Sequence, residues 1–217
     1  MVTALCALIS VLTVHAGPDE DYQSALKSYR AGDVVGSMPG LRKAADDGHP
    51  KAQALLAELL DRAEFDEDAL VYYRKAANQG DPEGMFGLGV MTAAGEGLKE
   101  KDPAEGRLWI ERAAELGHKR AIIVMAQAYL KAELNIRKDE RNSAAALKWV
   151  QQAVELDYLP ALDALHDAYR TGGALTVSVD LKLAEQYLAK ANLLRGIDPG
   201  KGKKRKKKIK VVPDEED

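Results

Sequence analysis

The sequence predicts an all-α fold, a right-handed α-solenoid of about five helix-turn-helix repeats, and three observations carry that prediction. The first is a short pattern, an Ala-Ala pair near a helix end followed by a stop. It reads LRKAADDG at 41–48, YRKAANQG at 73–80 and WIERAAELG at 109–117, with two worn copies, WVQQAVELD at 149–157 and YLAKANLLRG at 187–196. The second is its period. The first small residue of each copy falls at Ala44, Ala76, Ala113, Ala153 and Ala191, and self-similarity every few tens of residues is the mark of stacked supersecondary units. The third is composition: 46% hydrophobic residues but only 6% aromatic, with abundant alanine, which suits small-residue helix packing better than a β-sandwich. Stacked units share one continuous core, so 217 residues form a single repeat domain rather than two globular ones.

The chain opens with an uncharged apolar run, Val2–Val14, which ends in Val14-His15-Ala16 and switches to Gly-Pro-Asp-Glu-Asp. An apolar stretch of about 7–15 residues before small residues has the outline of a secretory signal, and it is shorter than the ~20 apolar residues a membrane span needs. The expectation is a signal peptide over 1–16, cleaved near Ala16, and a periplasmic or secreted mature chain. No Lys or Arg precedes the run, so an apolar capping helix on the first repeat stays open as the alternative. The single cysteine, Cys6, lies inside the run; a disulfide framework and a cysteine metal site within the chain are both excluded.

Each repeat then reads as two helices, A and B. The A helices carry small and apolar residues at i, i+4, i+5 and i+8, one helical face: Asp21, Ala25-Leu26 and Tyr29 in the first, Ala52, Leu56-Ala57 and Leu60 in the second. Gly84, Leu88-Gly89 and Thr92 follow in the third, Ala121, Met125-Ala126 and Tyr129 in the fourth, and Ala161, Leu165-His166 and Tyr169 in the fifth. The B helices carry Tyr72/Ala76, Trp109/Ala113/Leu116, Trp149/Ala153/Leu156 and Tyr187/Leu188/Ala191, again a single apolar stripe. Gly48, Gly80 and Gly117 stand where a left-handed glycine ends a helix, and Pro50, Pro82 and Pro160 fall in the first turn of the next. Asp102-Pro103-Ala104-Glu105 reads as an N-cap with Pro at N1 and Glu at N3, and Asp68, Ser143 and Asp180 are candidate caps for other B helices. The repeats are expected at about 21–50, 51–82, 83–118, 119–158 and 159–195. From each B-helix alanine to the next A-helix start is 8 residues at all four junctions, so the insertions gather in the A–B loops, at 93–102, 131–142 and 171–179. Insertions confined to one edge often mark a variable binding edge.

The order A-x-x-x-L-G/A-x-x-Y-x-x-G followed by W-x-x-x-A-A-E-x-G resembles the Sel-one-like repeat, a relative of the tetratricopeptide repeat (TPR). Residues 84–117 carry it most fully, in Leu88, Gly89, Gly95, Gly97, Trp109, Ala113, Ala114, Glu115 and Gly117. The resemblance covers about residues 21–195. It implies a TPR-like adaptor or scaffold that binds a protein or peptide partner, without a cofactor; exported bacterial members are common, many tied to envelope regulation, polysaccharide export or host contact. Three departures stand out. Gly40 replaces the B-helix aromatic in the first repeat, which Pro39 is expected to shorten, and the second repeat lacks the loop glycines. The single cysteine sets the chain apart from the branch with paired cysteines.

Beyond Gly196 the composition changes. Residues 201–210 (KGKKRKKKIK) hold eight basic residues and 214–217 four acids; without the two blocks 23 basic and 30 acidic residues remain, so the repeat body is strongly acidic. So dense a like-charge block predicts a disordered interaction tail over 197–217. Lys203, Lys204, Arg205, Lys206, Lys207 and Lys208 are the candidate polyanion contacts, to anionic lipid or polysaccharide. Nucleic acid follows if the chain is not exported, and a solvated tail folded back on the acidic body is the plainer reading.

No motif for chemistry stands out. His49 and His118 share a junction slot with Asp81 and Tyr158, which marks a helix start rather than a ligand, and no pair of histidines has HExxH spacing. GIDPGK (196–201) is one residue short of a phosphate loop and lacks its Ser/Thr, and the acids of 61–68 lack the glycine and spacing of a calcium loop. Catalytic, cofactor and metal sites are therefore all expected to be absent. The ladder Tyr72, Trp109, Trp149 and Tyr187 reads as inter-repeat core. Tyr29, Tyr129 and Tyr169 are the candidate anchors of a concave groove, since aromatics lead binding hot spots. The sequence thus points to a non-catalytic protein-interaction scaffold, with an envelope- or polyanion-associated structural protein held by its basic tail as the alternative.

Overall fold

The computed structural model describes residues 17–197; the signal-like run 1–16 and the polyanion candidates Lys203–Lys208 lie outside the described residues. Within them the chain folds into helices and no strand: α1 (Pro18–Arg30), α2 (Val34–Asp46), α3 (Pro50–Arg62), α4 (Asp66–Asn78), α5 (Pro82–Ala94), α6 (Pro103–Glu115), α7 (Lys119–Lys131), α8 (Ala144–Glu155), α9 (Leu159–Thr171) and α10 (Leu181–Leu194), with a 3-10 turn over Lys138–Asn142. Within each compact unit consecutive helices pack against each other, as in a solenoid. The chain divides into two compact units after Ala113, near the end of α6.

Local chemistry sets the helix boundaries. Seven helix starts are capped by a side chain that accepts a backbone N–H. Asp33 takes Gly36 (2.8 Å), Asp81 takes Gly84 (2.8 Å), Ser143 takes Ala146 (3.1 Å) and Asp180 takes Leu183 (3.0 Å). Asp102 takes both Ala104 and Glu105. His49 and His118 do the same with an imidazole, Nδ1 accepting the Ala52 and Ala121 amides at 3.1 and 3.2 Å. Each cap satisfies a donor that the first turn leaves orphaned. At the B-to-A junctions Gly48, Gly80 and Gly117 hold φ of 94°, 85° and 81°, and Asp157 takes the same left-handed turn at 57°.

Two expectations are corrected. Asp68 caps nothing: α4 begins at Asp66, and its N-cap is Phe65, which offers no acceptor. Pro39 does not shorten its helix, because α2 runs 13 residues with the proline inside it. The Val35 carbonyl, four residues back, loses its partner there, and Val35 is itself 84% exposed, so water can take the carbonyl.

In the first unit α1 to α5 each pack on the next, and α3 also packs on α5. Its core is built from Tyr22, Leu41, Leu56, Leu60, Tyr73, Leu88 and Met91 interleaved with alanines. Small residues let the backbones close in. A Cβ on Gly84 would lie 2.5 Å from that of Ala76, and one on Gly87 would lie 2.2 Å from the Tyr73 ring. In the second unit α7, α8, α9 and α10 follow the same rule, and α7 also packs on α9. Trp149, 0% exposed, is its largest fully buried side chain, among Met125, Val150, Leu162 and Leu165. Leu116, expected in the α6 stripe, lies past the helix end and is exposed.

Candidate functional site

The B-helix ladder divides by burial. Trp149 and Tyr72 are buried, and Trp109 packs half-buried against the core of the first unit. Each carries a cation over its ring: Lys75 above Tyr72 (4.8 Å), Arg112 above Trp109 (4.6 Å) and Lys148 above Trp149 (4.2 Å). The Tyr72 hydroxyl donates to Asp46 Oδ1 at 2.7 Å. Burial pushes its pKa above the ordinary value, and that bond to a carboxylate adds to the rise.

The three tyrosines singled out for a groove occupy different settings. In the first unit, Tyr29 sits half-buried on the last turn of α1. In the second, Tyr129 is only 8% exposed and belongs to the packed face of α7. Tyr169 on α9 stacks on Tyr187 of α10, ring centroids 5.8 Å apart and planes 16° from parallel. The Tyr187 hydroxyl is raised first by burial and then by Tyr169. Tyr29 and Tyr169 are therefore the members of the set that reach solvent, Tyr169 together with its stacking partner Tyr187.

Two features escaped sequence reasoning. One is a strut of amides in the first unit: Gln53, 3% exposed, donates to the Ala45 carbonyl (2.9 Å) and accepts from Gln79 Nε2 (2.7 Å). It ties the ends of α2 and α4 to the start of α3. A glutamine on an amphipathic helix gives no hint that it faces inward.

The other is the corner between α3 and α4. Phe65 stands where seven other helices carry a capping acceptor, and it is 58% exposed. Glu64 before it adopts φ 62°, a turn that glycine makes more cheaply. A mostly apolar pocket of about 350 Å³ opens beside the ring, lined by Val34, Met38, Leu59, Leu60 and Ala63, with Arg42 and Asp68 at its rim. On the other side of Phe65 lies a polar hollow of about 440 Å³ between Glu64, Asp66, Glu67, Asp68 and the loop at Gly97. Burial raises the carboxyl pKa of Asp61, and the negative charge of Asp66 adds to it while Arg62 opposes. Glu96 is raised likewise by burial, then by Asp61 and Asp66. Arg62 is held by Glu58 at 2.6 Å, and no ion pair to Glu64, Asp66, Glu67 or Asp68 is seen among the described residues. The signal for this corner was in the sequence, one of two phenylalanines set in an acidic run.

No described group of three or more His, Cys, Asp or Glu residues could hold a metal ion. No described helix is long and apolar enough to cross a membrane. Repeated helix pairs with capped starts and small-residue contacts define a helical-repeat protein. The model of the Sel1 repeat matches residues 66–81, 82–118, 120–158 and 167–194, more than half of the chain. The chain belongs to the Sel1 repeat family, whose fold generally mediates protein–protein interaction.

Solved structures agree. A protective antigen present in uropathogenic Escherichia coli strains, which displays an SLR fold, is 25% identical with a TM-score of 0.69; the match covers 82% of this chain but 38% of the antigen. A Sel1 repeat protein from Oxalobacter formigenes is 27% identical with a TM-score of 0.66, over 82% of this chain and 69% of that one. A Sel1 repeat protein from Klebsiella pneumoniae, at 20% identity and TM-score 0.52, shares the fold. No curated protein matches the chain.

Proposed function

We propose that this chain is an exported, non-catalytic scaffold that holds a protein or peptide partner against its solvent-reaching aromatic side chains. The observation that carries the reading is family membership: the matched repeats form packed helix pairs, and Tyr29 and the Tyr169–Tyr187 pair leave aromatic surface at solvent. Aromatic anchors of this kind dominate binding energy in protein interfaces. Export rests on the apolar run 2–14 and its small-residue end at Ala16.

The test is recovery of cross-linked partners from the native cell with Tyr29→Ala plus Tyr169→Ala. Both side chains are half-buried, so helicity should persist while partner recovery falls; recovery equal to the wild type removes the reading. The mature N-terminus, read on the same material, should be Gly17.

A second reading is favoured by one observation, the eight basic residues in 201–210. In it the tail holds the protein on an anionic lipid or polysaccharide, each cation near such a surface contributing about 1 kcal/mol. Deleting 201–217 would then release the protein from the envelope fraction, and retention of the deleted chain refutes it.

A further inference from the structure

The α3–α4 corner joins two surfaces that answer one kind of ligand. The pocket of Val34, Met38, Leu59 and Leu60 calls for aliphatic side chains. The carboxylates of Glu64, Asp66, Glu67 and Asp68 next to it call for several cations: among the described residues none of them is in an ion pair, and Arg62 nearby is engaged by Glu58. Beside them the carboxyls of Asp61 and Glu96 are raised, first by burial and then by the negative charge of Asp66, with that of Asp61 adding to Glu96. Phe65 stands between the two surfaces and lines both. An exposed phenylalanine at an N-cap, after a glutamate in a left-handed turn, breaks two local rules at consecutive positions. Such departures gather at functional sites.

The sequence holds a segment of the complementary chemistry. Residues 201–212 read KGKKRKKKIKVV: eight cations, then Ile209, Val211 and Val212 among and after the last of them. We infer that the α3–α4 corner docks this chain's own segment 201–212, aliphatic residues against Phe65 and the Val34/Leu59 pocket and lysines against Glu64, Glu67 and Asp68. The inference is independent of the groove reading. It gives the tail an occupant's role on an acidic surface rather than an anchor's role on a polyanion.

The experiment is zero-length carbodiimide cross-linking of the purified full chain, read by mass spectrometry on a mixture of isotopically light and heavy protein. Amide links from Lys203–Lys210 should concentrate on Glu64, Glu67 and Asp68. The isotope pattern tells whether a tail occupies the corner of its own copy or of another, and either arrangement supports the docking. Phe65→Ser should lower the yield at these carboxylates about tenfold while leaving the fold intact, since serine is a favoured N-cap. Raising the salt to about 1 M, where the Debye length is about 3 Å, should lower it similarly. Links scattered over the acidic body, or a yield at the corner unmoved by Phe65→Ser, would overturn the inference. So would anionic vesicles that engage the tail while the corner links of the protein alone are already absent.

Discussion

Gly89 of α5 and Gly106 of α6 meet backbone to backbone: a Cβ built on Gly106 would lie 2.6 Å from the Gly89 carbonyl oxygen and 2.6 Å from the Ala93 Cβ. No side chain larger than hydrogen fits without moving a helix. Gly106→Ala should therefore destabilise the protein by about 1–3 kcal/mol from overpacking, despite the ~1 kcal/mol that alanine adds to helix propensity. Gly40→Ala is the control. Its Cβ would meet that of Ala25 at 3.4 Å, an ordinary contact, so α2 should gain about 1 kcal/mol. Urea denaturation midpoints that move in the same direction for both variants would refute the argument.

His49 makes three contacts. Its Nδ1 caps α3, its ring stacks on Tyr22 with centroids 4.3 Å apart, and its Nε2 lies 3.0 Å from Asp19. His49→Asn keeps an acceptor for the Ala52 amide and loses the stack. His49→Ala loses both, so it should cost about 1 kcal/mol more than the asparagine variant. Equal stability of the two variants, measured by thermal unfolding, would show that the imidazole does not act as a cap.

Protonation at the α3–α4 corner carries a definite sign. The folded carboxyls of Asp61 and Glu96 sit above their ordinary values of 3.8 and 4.5. The native state therefore binds protons more tightly than the unfolded chain, and stability falls as pH rises from the ordinary carboxylate range through the raised values. Asp61→Asn with Glu96→Gln should flatten that fall and leave the melting temperature higher near neutral pH. A melting profile of the double variant parallel to the wild type would contradict the assignment.

The amide strut predicts unequal penalties at its two glutamines. Gln53→Ala breaks both hydrogen bonds of a buried side chain, each contributing about 0.5–1.5 kcal/mol, while the Ala45 carbonyl keeps the Gly48 amide at 3.1 Å. Gln79→Ala removes only the outer link, and Gln79 is exposed, so it should cost less. The comparison needs only equilibrium unfolding of the two single variants.

Helix positions were legible in the sequence wherever a boundary rests on a local rule. Gly48, Gly80 and Gly117, Pro50 and Pro82, Asp102, Ser143 and Asp180 each end or begin a helix for reasons contained within four residues of chain. Asp68 misled because an acidic run offers several acceptors, and α4 starts at Asp66, two residues before it. His49 was read as a mere helix start; its stacking on Tyr22, 27 residues away, leaves no trace in local spacing. Periodicity placed Trp149 and Tyr72 in the core correctly, yet it cannot separate the buried Tyr129 from the half-buried Tyr29, since both share one repeat position. The Phe65 corner went unread for the opposite reason: an aromatic at a non-helical position belongs to no period.

The connections between helices fall into two kinds with different tolerances. Every B-to-A junction has three residues, 47–49, 79–81, 116–118 and 156–158, while the later A-to-B loops have eight, twelve and nine, at 95–102, 132–143 and 172–180. A residue added at a junction would rotate and displace the next helix against its neighbour, because a three-residue left-handed turn leaves no slack. A residue added in a long loop is absorbed at a loop-closure cost that grows only logarithmically. The chain thus separates what holds its helices in register from what can be rewritten, and a grafted epitope, tag or cleavage sequence belongs in the second kind of connection.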